Sequence, residues 1–215
     1  MREGGPRRTV SLAVRLLWSY VYERQGMIVL AKDLGDEVRR SRRPDELRYE
    51  RIERRHLPEL AELNRERKER RADARFAADL DSGYEGLAAF SGDRLSAFYW
   101  WVDGDSAPPS SRWSVGAAID ELRLGIELER GDVYGADFYV RESDRPGGTA
   151  QAFLDHVEAL LAARGYRRLW GYVIEDNRAA RWTYSLRGYR PMWRVVRTRM
   201  LVFRRYRTEP IGKER

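Results

Sequence analysis

A glycine-rich turn in the second half of the chain reads Arg145-Pro146-Gly147-Gly148-Thr149-Ala150. Apolar residues follow it at helical spacing, at Ala150, Phe153, Leu154, Val157, Leu160 and Leu161. That spacing predicts an amphipathic helix that begins at the glycines. The first amides of a helix have no carbonyl partner inside it, and the helix dipole adds partial positive charge at the same end. The turn therefore predicts an anion site, most often one for phosphate.

The segments around this turn predict an α+β fold. A strand is expected before the turn, at 133–140, and a strand at 169–174 and a helix at 177–186 are expected after it. Further upstream we expect a helix over 57–80 and strands at 47–52, 84–90, 95–102 and 121–128. Downstream, the pattern predicts strands at 192–196 and 200–203. This order is typical of a mixed sheet with one parallel crossover around the turn.

The amino-terminal part is predicted to be an extension of the main domain. Residues 1–45 contain an amphipathic segment at 11–23, a short strand at 27–31 and a linker dense in charge. We expect 46–207 to form the main domain and 208–215 to be a tail. For the amphipathic segment, packing on its own domain is favoured over a membrane-surface role.

Composition limits the chemistry of the chain. It has 215 residues, no cysteine and two histidines, His56 and His156. Disulfides and thiolate nucleophiles are therefore excluded, and no metal site is expected. No apolar run approaches the roughly 20 residues that a spanning helix needs. A cytoplasmic protein is the expectation.

The positive net charge of the chain favours anionic partners but does not indicate which kind. The net charge of +7 suits nucleotide cofactors, acidic carrier proteins, nucleic acid or a membrane surface. The densest charged run, at 64–71, mixes Glu with Arg at helical spacing. That pattern is typical of a solvated helix supported by ion pairs, so contacts with nucleic acid are disfavoured.

Two spaced motifs resemble the GNAT superfamily of N-acetyltransferases. The first joins a strand-end valine to a turn of the form Arg/Gln-x-x-Gly-x-Gly/Ala, which here is Val140 followed by Arg145-x-x-Gly148-x-Ala150. The second has an Asn, a small residue three later, a Tyr seven later and a Gly-aromatic pair at eleven and twelve. It is matched by Asn177, Ala180, Tyr184, Gly188 and Tyr189. The motifs occur in the family's order, with a predicted strand between them.

The resemblance implies a fold and a co-substrate. The fold is a central, mostly antiparallel sheet with a V-shaped splay between two parallel strands and helices on both faces. Acetyl-CoA or another acyl-CoA would lay its pyrophosphate on the turn and its pantetheine arm in the splay. The residues implied to bind it are Val140, Arg145, Gly147, Gly148, Thr149, Ala150 and Asn177. Pro146 departs from the family's turn because proline has no amide to donate. Helix capping would explain Asn177 nearly as well.

The resemblance also implies catalytic roles. Tyr184 matches the family's general acid, and a phenol with a pKa near 10 stays protonated at neutral pH. Asp137 is the first candidate for the base, since Ala136 stands where the family often has a Glu. Strand alternation could point Asp137 away from the amine. Glu127, Glu129 and a water chain to bulk are the alternatives.

These observations predict an N-acyltransferase that moves an acetyl or other acyl group from acyl-CoA to an amine by direct attack. The acceptor is expected to be a small-molecule or peptide amine. The aromatic segment at 98–101 is interpreted first as core, and second as a groove lined by Trp100, Trp101 and Trp113. The alternatives are an acyl-carrier-protein-dependent N-acyltransferase for longer chains, and a non-catalytic module that binds acyl-CoA or nucleic acid. A homodimer is a further partner to consider, and membrane contact is disfavoured.

Overall fold

The computed structural model describes residues 22–35, 47–67, 73–103, 123–200 and 203–211. Its strands are β1 Tyr22–Asp33, β2 Leu47–Arg51, β3 Glu85–Ser91, β4 Arg94–Asp103, β5 Asp132–Val140, β6 Arg168–Ile174, β7 Arg190–Met200 and β8 Phe203–Pro210. Its α-helices are α1 Leu57–Arg65, α2 Ala74–Asp81, α3 Thr149–Ala163 and α4 Arg178–Leu186. Short 3-10 turns cover Arg54–His56 and Glu142–Gly147. None of the helices within these ranges is long and apolar enough to cross a membrane.

The described strands form one sheet in the order β2-β3-β4-β5-β6-β1-β7-β8. The neighbouring strands pair antiparallel, except β5 and β6, which pair parallel. Helices α1 and α2 pack on one face through Leu60, Leu63 and Phe76. Helix α3 covers the other face through its apolar stripe, and α4 packs beside it. The predicted α+β class, with a mostly antiparallel sheet and helices on both faces, is confirmed.

The parallel pair opens after three residues of contact. Strands β5 and β6 pair from Asp132–Arg168 to Tyr134–Trp170. Beyond that point β5 continues along β4, and β6 continues along β1. A β-bulge at Ala136, where the register against β4 shifts, accompanies the separation. The two parallel strands therefore diverge in a V, as the resemblance implies.

Strand β1 differs from its predicted place. The strand expected at 27–31 is longer, and it lies inside the sheet between β6 and β7. It is buried from both faces, with Met27 and Val29 in one core and Ile28 and Leu30 in the other. Strand β1 therefore belongs to the same sheet as the strands that follow residue 45. At the other end β8 runs to Pro210, past the predicted start of the tail.

The predicted amphipathic helix at 11–23 lies largely outside the described residues. Residues 11–21 are not described, and Tyr22 and Glu23 belong to β1. Strand β1 pairs its first residues with the end of β7, from Tyr22 opposite Met200. The two residues of the predicted helix that can be compared therefore take an extended conformation.

Two other predicted elements differ. The helix expected over 57–80 is two helices, α1 and α2, and residues 68–72 between them are not described. The strand expected at 121–128 is irregular from residue 123 onward. Positive φ angles of 45° at Arg123 and 68° at Gly125 break the extended conformation there. Its apolar residues Leu124 and Ile126 are nevertheless buried, which explains the strand-like pattern.

The aromatic segment of β4 is core. Trp100 and Trp101 are 0% and 1% exposed, and they belong to the cores on opposite faces of the sheet. Trp100 stacks on Phe76 of α2 at 6.4 Å between ring centroids. The interpretation of these two side chains as lining a groove is therefore wrong. Trp113 lies outside the described residues.

Candidate active site

Strand β5 ends at Val140, beyond the point where β5 and β6 diverge, and this end is called the open end of β5. The predicted glycine turn joins it to helix α3. A 3-10 turn follows β5, and Gly148 then takes a left-handed conformation with φ 76° as the cap before α3. The Gly148 carbonyl accepts the first helical hydrogen bond, from the Ala152 amide at 3.1 Å. The amides of Thr149, Ala150 and Gln151 belong to the first turn, where a helix offers no carbonyl partner.

The space outside the two glycines is open. A Cβ placed on Gly148 would meet nothing within 4 Å, and one on Gly147 would first meet the Thr149 hydroxyl at 3.9 Å. Helix α3 has 15 residues, so its dipole is fully developed at this end. The turn therefore offers unpaired amides, partial positive charge and room for an anion.

Two arginines hold the turn in place. Arg145 donates from Nε to the Val140 carbonyl at 3.1 Å and lies over the Tyr139 ring at 5.3 Å. Its Nη1 lies 3.4 Å from Glu142. Arg141 is buried and donates from Nε to the Leu95 carbonyl of β4 at 3.1 Å. Arg145 therefore turns back toward the end of β5, while Arg141 ties the start of the turn to the sheet.

The predicted general acid, Tyr184, is half-buried on α4 and packs with the core under α3. Its ring lies edge-on to Tyr189 at 4.9 Å between centroids. Burial raises the pKa of Tyr184 to about 12. The negative charge of Glu158 adds to this increase, Arg187 opposes it, and Asp137 contributes further. The phenol is thus held in its proton-donating form.

Asp137, the first candidate for the base, is held in an ion pair. Arg67 follows α1 and donates to both carboxylate oxygens, at 2.8 Å and 3.0 Å. The two side chains are 16% and 10% exposed, so the pair is largely shielded from water. The Arg67 guanidinium also lies 5.1 Å from the centre of the Tyr139 ring. Both oxygens of the Asp137 carboxylate are therefore engaged by Arg67.

The alternative bases, Glu127 and Glu129, precede β5 in the chain. Glu127 and Glu129 are exposed in the irregular segment before β5. Their neighbours Leu124 and Ile126 pack on the α1 and α2 face of the sheet, and the Trp193 indole donates to the Leu124 carbonyl at 2.7 Å. In the part of the chain that the structure describes, no group of three or more acidic or histidine side chains is placed to hold a metal ion.

Asn177 caps helix α4. Its side-chain oxygen accepts from the Ala180 amide at 3.0 Å, which is the capping interaction that the sequence offered as an alternative. Of the predicted residues, the structure thus joins Val140 and those at 145–150 around one turn. Asp137 is near enough to Tyr184 for its negative charge to contribute to the raised pKa of that tyrosine.

A buried charge cluster beside Tyr184 was not found from the sequence. Glu158 of α3 is fully buried and contacts Lys32, Arg187 and Tyr189. The sequence does contain an indication of this cluster. Glu158 lies one residue after Val157 and four after Leu154, within the apolar stripe of α3. A charged residue on a buried helix face requires partners of opposite charge.

Comparisons with known proteins identify this architecture as the GNAT fold. The chain is similar to a GCN5-related N-acetyltransferase from Sphaerobacter thermophilus, with a TM-score of 0.60 and 16% identity over 89% of this chain and 56% of that one. It is also similar to the ribosomal-protein-S18-alanine N-acetyltransferase from Escherichia coli, with a TM-score of 0.53 and 14% identity over 78% of this chain and 97% of that one.

A third similar structure contains a ligand. It is AAC(6')-Iy in complex with the bisubstrate analogue CoA-S-monomethyl-acetylneamine, with a TM-score of 0.50 and 13% identity over 67% of this chain and 90% of that one. No protein-family model and no curated protein matches the sequence. At these identities the likeness concerns the fold, and the resemblance to GNAT acetyltransferases that the two motifs suggested is confirmed at that level.

Proposed function

We propose that this protein is an N-acyltransferase that transfers an acetyl or other acyl group from acyl-CoA directly to an amine. The observation that carries the proposal is the conjunction at the open end of β5. There a glycine-capped helix start, a divergence of two parallel strands and a protonated tyrosine meet on the GNAT fold. Each feature alone is common in proteins, whereas acyl transfer of the kind that the GNAT resemblance implies uses all three together.

The pyrophosphate of the donor would bind the amides of Thr149, Ala150 and Gln151. These amides need a partner, and the helix dipole favours an anion there. The open space outside Gly147 and Gly148 gives a phosphate close access to the backbone. Arg145, whose side chain is 48% exposed beside the turn, would add positive charge. Pro146 supplies no amide, so binding depends on the residues after it.

The chemical step follows from the state of Tyr184. The neutral amine attacks the thioester carbonyl, a carbon–nitrogen bond forms, and the carbon–sulfur bond breaks. Tyr184 gives its proton to the departing sulfur, and the proton lost by the amine returns to the phenolate through water. Because Asp137 is bound by Arg67, we propose that solvent, and not Asp137, deprotonates the amine. Asp137 then has a structural role next to the place where the amine would bind.

Incubation with acetyl-CoA and a panel of amines, followed by detection of free thiol, tests the proposal. Tyr184→Phe should lower kcat by about 10²–10⁴-fold while CoA still binds, because it removes only the proton donor. Tyr206→Phe on edge strand β8 is the matched control and should leave turnover unchanged.

Other outcomes separate the alternatives. If thiol is released only with longer acyl chains, or only from an acyl carrier protein, the acyl donor is not acetyl-CoA. Binding of CoA without turnover of any amine would indicate a sensing module. Failure to bind CoA even at low salt would overturn the proposal, and steep salt dependence of an RNA or DNA complex would favour a nucleic-acid module.

A further inference from the structure

Glu158 is an unusual residue for the position that it occupies. It lies on the core-facing side of α3 with a relative exposure of 0%, among Leu154, Val157 and Leu161. A carboxylate is retained in such surroundings only when charges and hydrogen bonds match it. Glu158 has such partners on both of its oxygens.

The partners of Glu158 come from two other parts of the fold. Lys32 of the interior strand β1 lies 2.5 Å from Oε2. Arg187 donates from Nη2 to Oε2 at 2.9 Å and from Nε to Oε1 at 3.0 Å, and the Tyr189 hydroxyl donates to Oε1 at 3.1 Å. Asp155, one turn earlier on α3, lies 2.5 Å from Arg187. The two cations are thus matched by two carboxylates.

Both Arg187 and Tyr189 are also bound to Tyr184 through the backbone. Their amides donate to the Tyr184 carbonyl, each at 3.1 Å, across a turn in which Gly188 has a φ of 80°. The Tyr189 ring in addition contacts the Tyr184 ring edge-on. Glu158 therefore holds the two residues that fix the carbonyl and the ring of Tyr184.

We propose that Glu158 is a positioning residue for Tyr184, which it holds at the open end of β5 by fixing Arg187 and Tyr189 against α3. This proposal rests on the proposed function, in which Tyr184 is the proton donor. Lys32 also contributes, because it binds Glu158 from the interior strand β1. Strand β1 therefore helps to hold helix α4, which carries Tyr184. Glu158 itself contacts neither acyl-CoA nor the amine in this scheme.

The test is a mutant cycle between Glu158→Gln and Tyr184→Phe in the full-length chain. Glutamine keeps the size of the side chain and loses its charge. For Glu158→Gln alone we expect kcat to fall by about 10²-fold, the loss typical of a reacting group misplaced by an ångström, with the KM for acetyl-CoA unchanged. In the Tyr184→Phe background the same substitution should lower kcat no further, because the residue through which Glu158 acts is already gone.

A second variant allows for poor folding of Glu158→Gln. The double substitution Lys32→Met and Glu158→Gln removes one charge of each sign and leaves Arg187 matched by Asp155. It should fold, as judged by cooperative thermal unfolding, and still show the kcat loss. It then replaces Glu158→Gln in the cycle with Tyr184→Phe.

The outcomes distinguish this proposal from the one on which it rests. If wild-type protein releases no thiol with any amine, the proposed function fails. If Tyr184→Phe is impaired but a folded Glu158 variant has wild-type kcat, the positioning role is overturned and the function stands. The positioning role is also overturned if the Glu158 substitution lowers kcat as much in the Tyr184→Phe background as in wild type.

Discussion

Arg67 binds both carboxylate oxygens of Asp137, with nitrogen–oxygen distances of 2.8 Å and 3.0 Å. The two residues are 70 positions apart in sequence and meet where α1 ends beside β5. This bidentate pair occupies the carboxylate that the sequence offered first as a catalytic base. The pairing is the basis of our proposal that Asp137 is not the catalytic base, and that proposal can be tested.

Asp137→Asn should lower stability more than it lowers catalysis. It leaves the Arg67 guanidinium without a charged partner in a largely shielded site, at a cost of roughly 1.5–3 kcal/mol. Thermal unfolding should show this loss of stability. At a pH above the pKa of the amine, kcat should stay within about tenfold of wild type. Loss of a general base or acid would instead lower kcat by about 10²–10⁴-fold. Arg67→Gln is the control, since it breaks the same pair but keeps the carboxylate. A large loss of kcat in Asp137→Asn, with activity retained in Arg67→Gln, would restore Asp137 as the base.

Gly148→Ala and Gly147→Ala should differ in stability although the glycines are adjacent. Gly148 has a φ of 76°, a conformation that costs an L-residue about 1–2 kcal/mol. Gly147 is not among the glycines with positive φ, and neither site is crowded. Denaturant unfolding should therefore show destabilisation by about 1 kcal/mol for Gly148→Ala and little change for Gly147→Ala. Equal effects would mean that the cap before α3 does not have this geometry.

Gly135→Ala should disturb the opening between the parallel strands. A Cβ at this position would overlap the Tyr99 hydroxyl and lie 2.9 Å from its ring, and Tyr99 is itself buried. Overpacking of this kind costs about 1–3 kcal/mol, which thermal unfolding would detect. Gly171→Ala on β6 is the matched control, because its nearest neighbour would be the Gly135 carbonyl at 4.0 Å. A stable Gly135→Ala protein would contradict the close packing of β4 against β5.

The pH profile of kcat should lack an alkaline fall in the usual range of tyrosine. The pKa of Tyr184 is raised to about 12, chiefly by burial, and the proton-donating form is lost only as the pH rises through that value. Activity should therefore rise through the pKa of the amine and stay level to about pH 10.5, whereas an unperturbed tyrosine would lose half of its acid form near pH 10. Stopped assays from neutral pH upward, with stability checked at each pH, measure this. A midpoint of decline near pH 10 would show that Tyr184 is not shielded as described.

Local signals in the sequence were sufficient for the turn and for helix α4. The Gly147-Gly148 pair marks the start of α3, because only a glycine readily adopts the left-handed conformation found at position 148. Asn177 marks the start of α4, where its side chain caps a nearby amide. These features depend on residues within one helical turn of each other, so the chain encodes them without reference to the rest of the fold.

Contacts between distant residues were not readable in the same way. Nothing near residues 22–33 in sequence indicates that they pair with β6 and β7, which lie more than a hundred residues away. The buried pattern of Leu124 and Ile126 is that of a strand, yet tertiary packing and two positive φ angles made the segment irregular. Backbone pairing over such separations depends on the whole sheet, not on local propensity.

By itself the sequence determined the two helix starts, the absence of cysteine chemistry and the apolar stripe of α3, since each depends on residue type and short spacing. Tertiary structure alone decided which charges meet. It paired Asp137 with Arg67, and it gathered Lys32, Glu158 and Arg187 into one buried cluster beside Tyr184. The reason is that a buried charge is stable only beside its partner, and the fold brings those partners together from elements far apart in the chain.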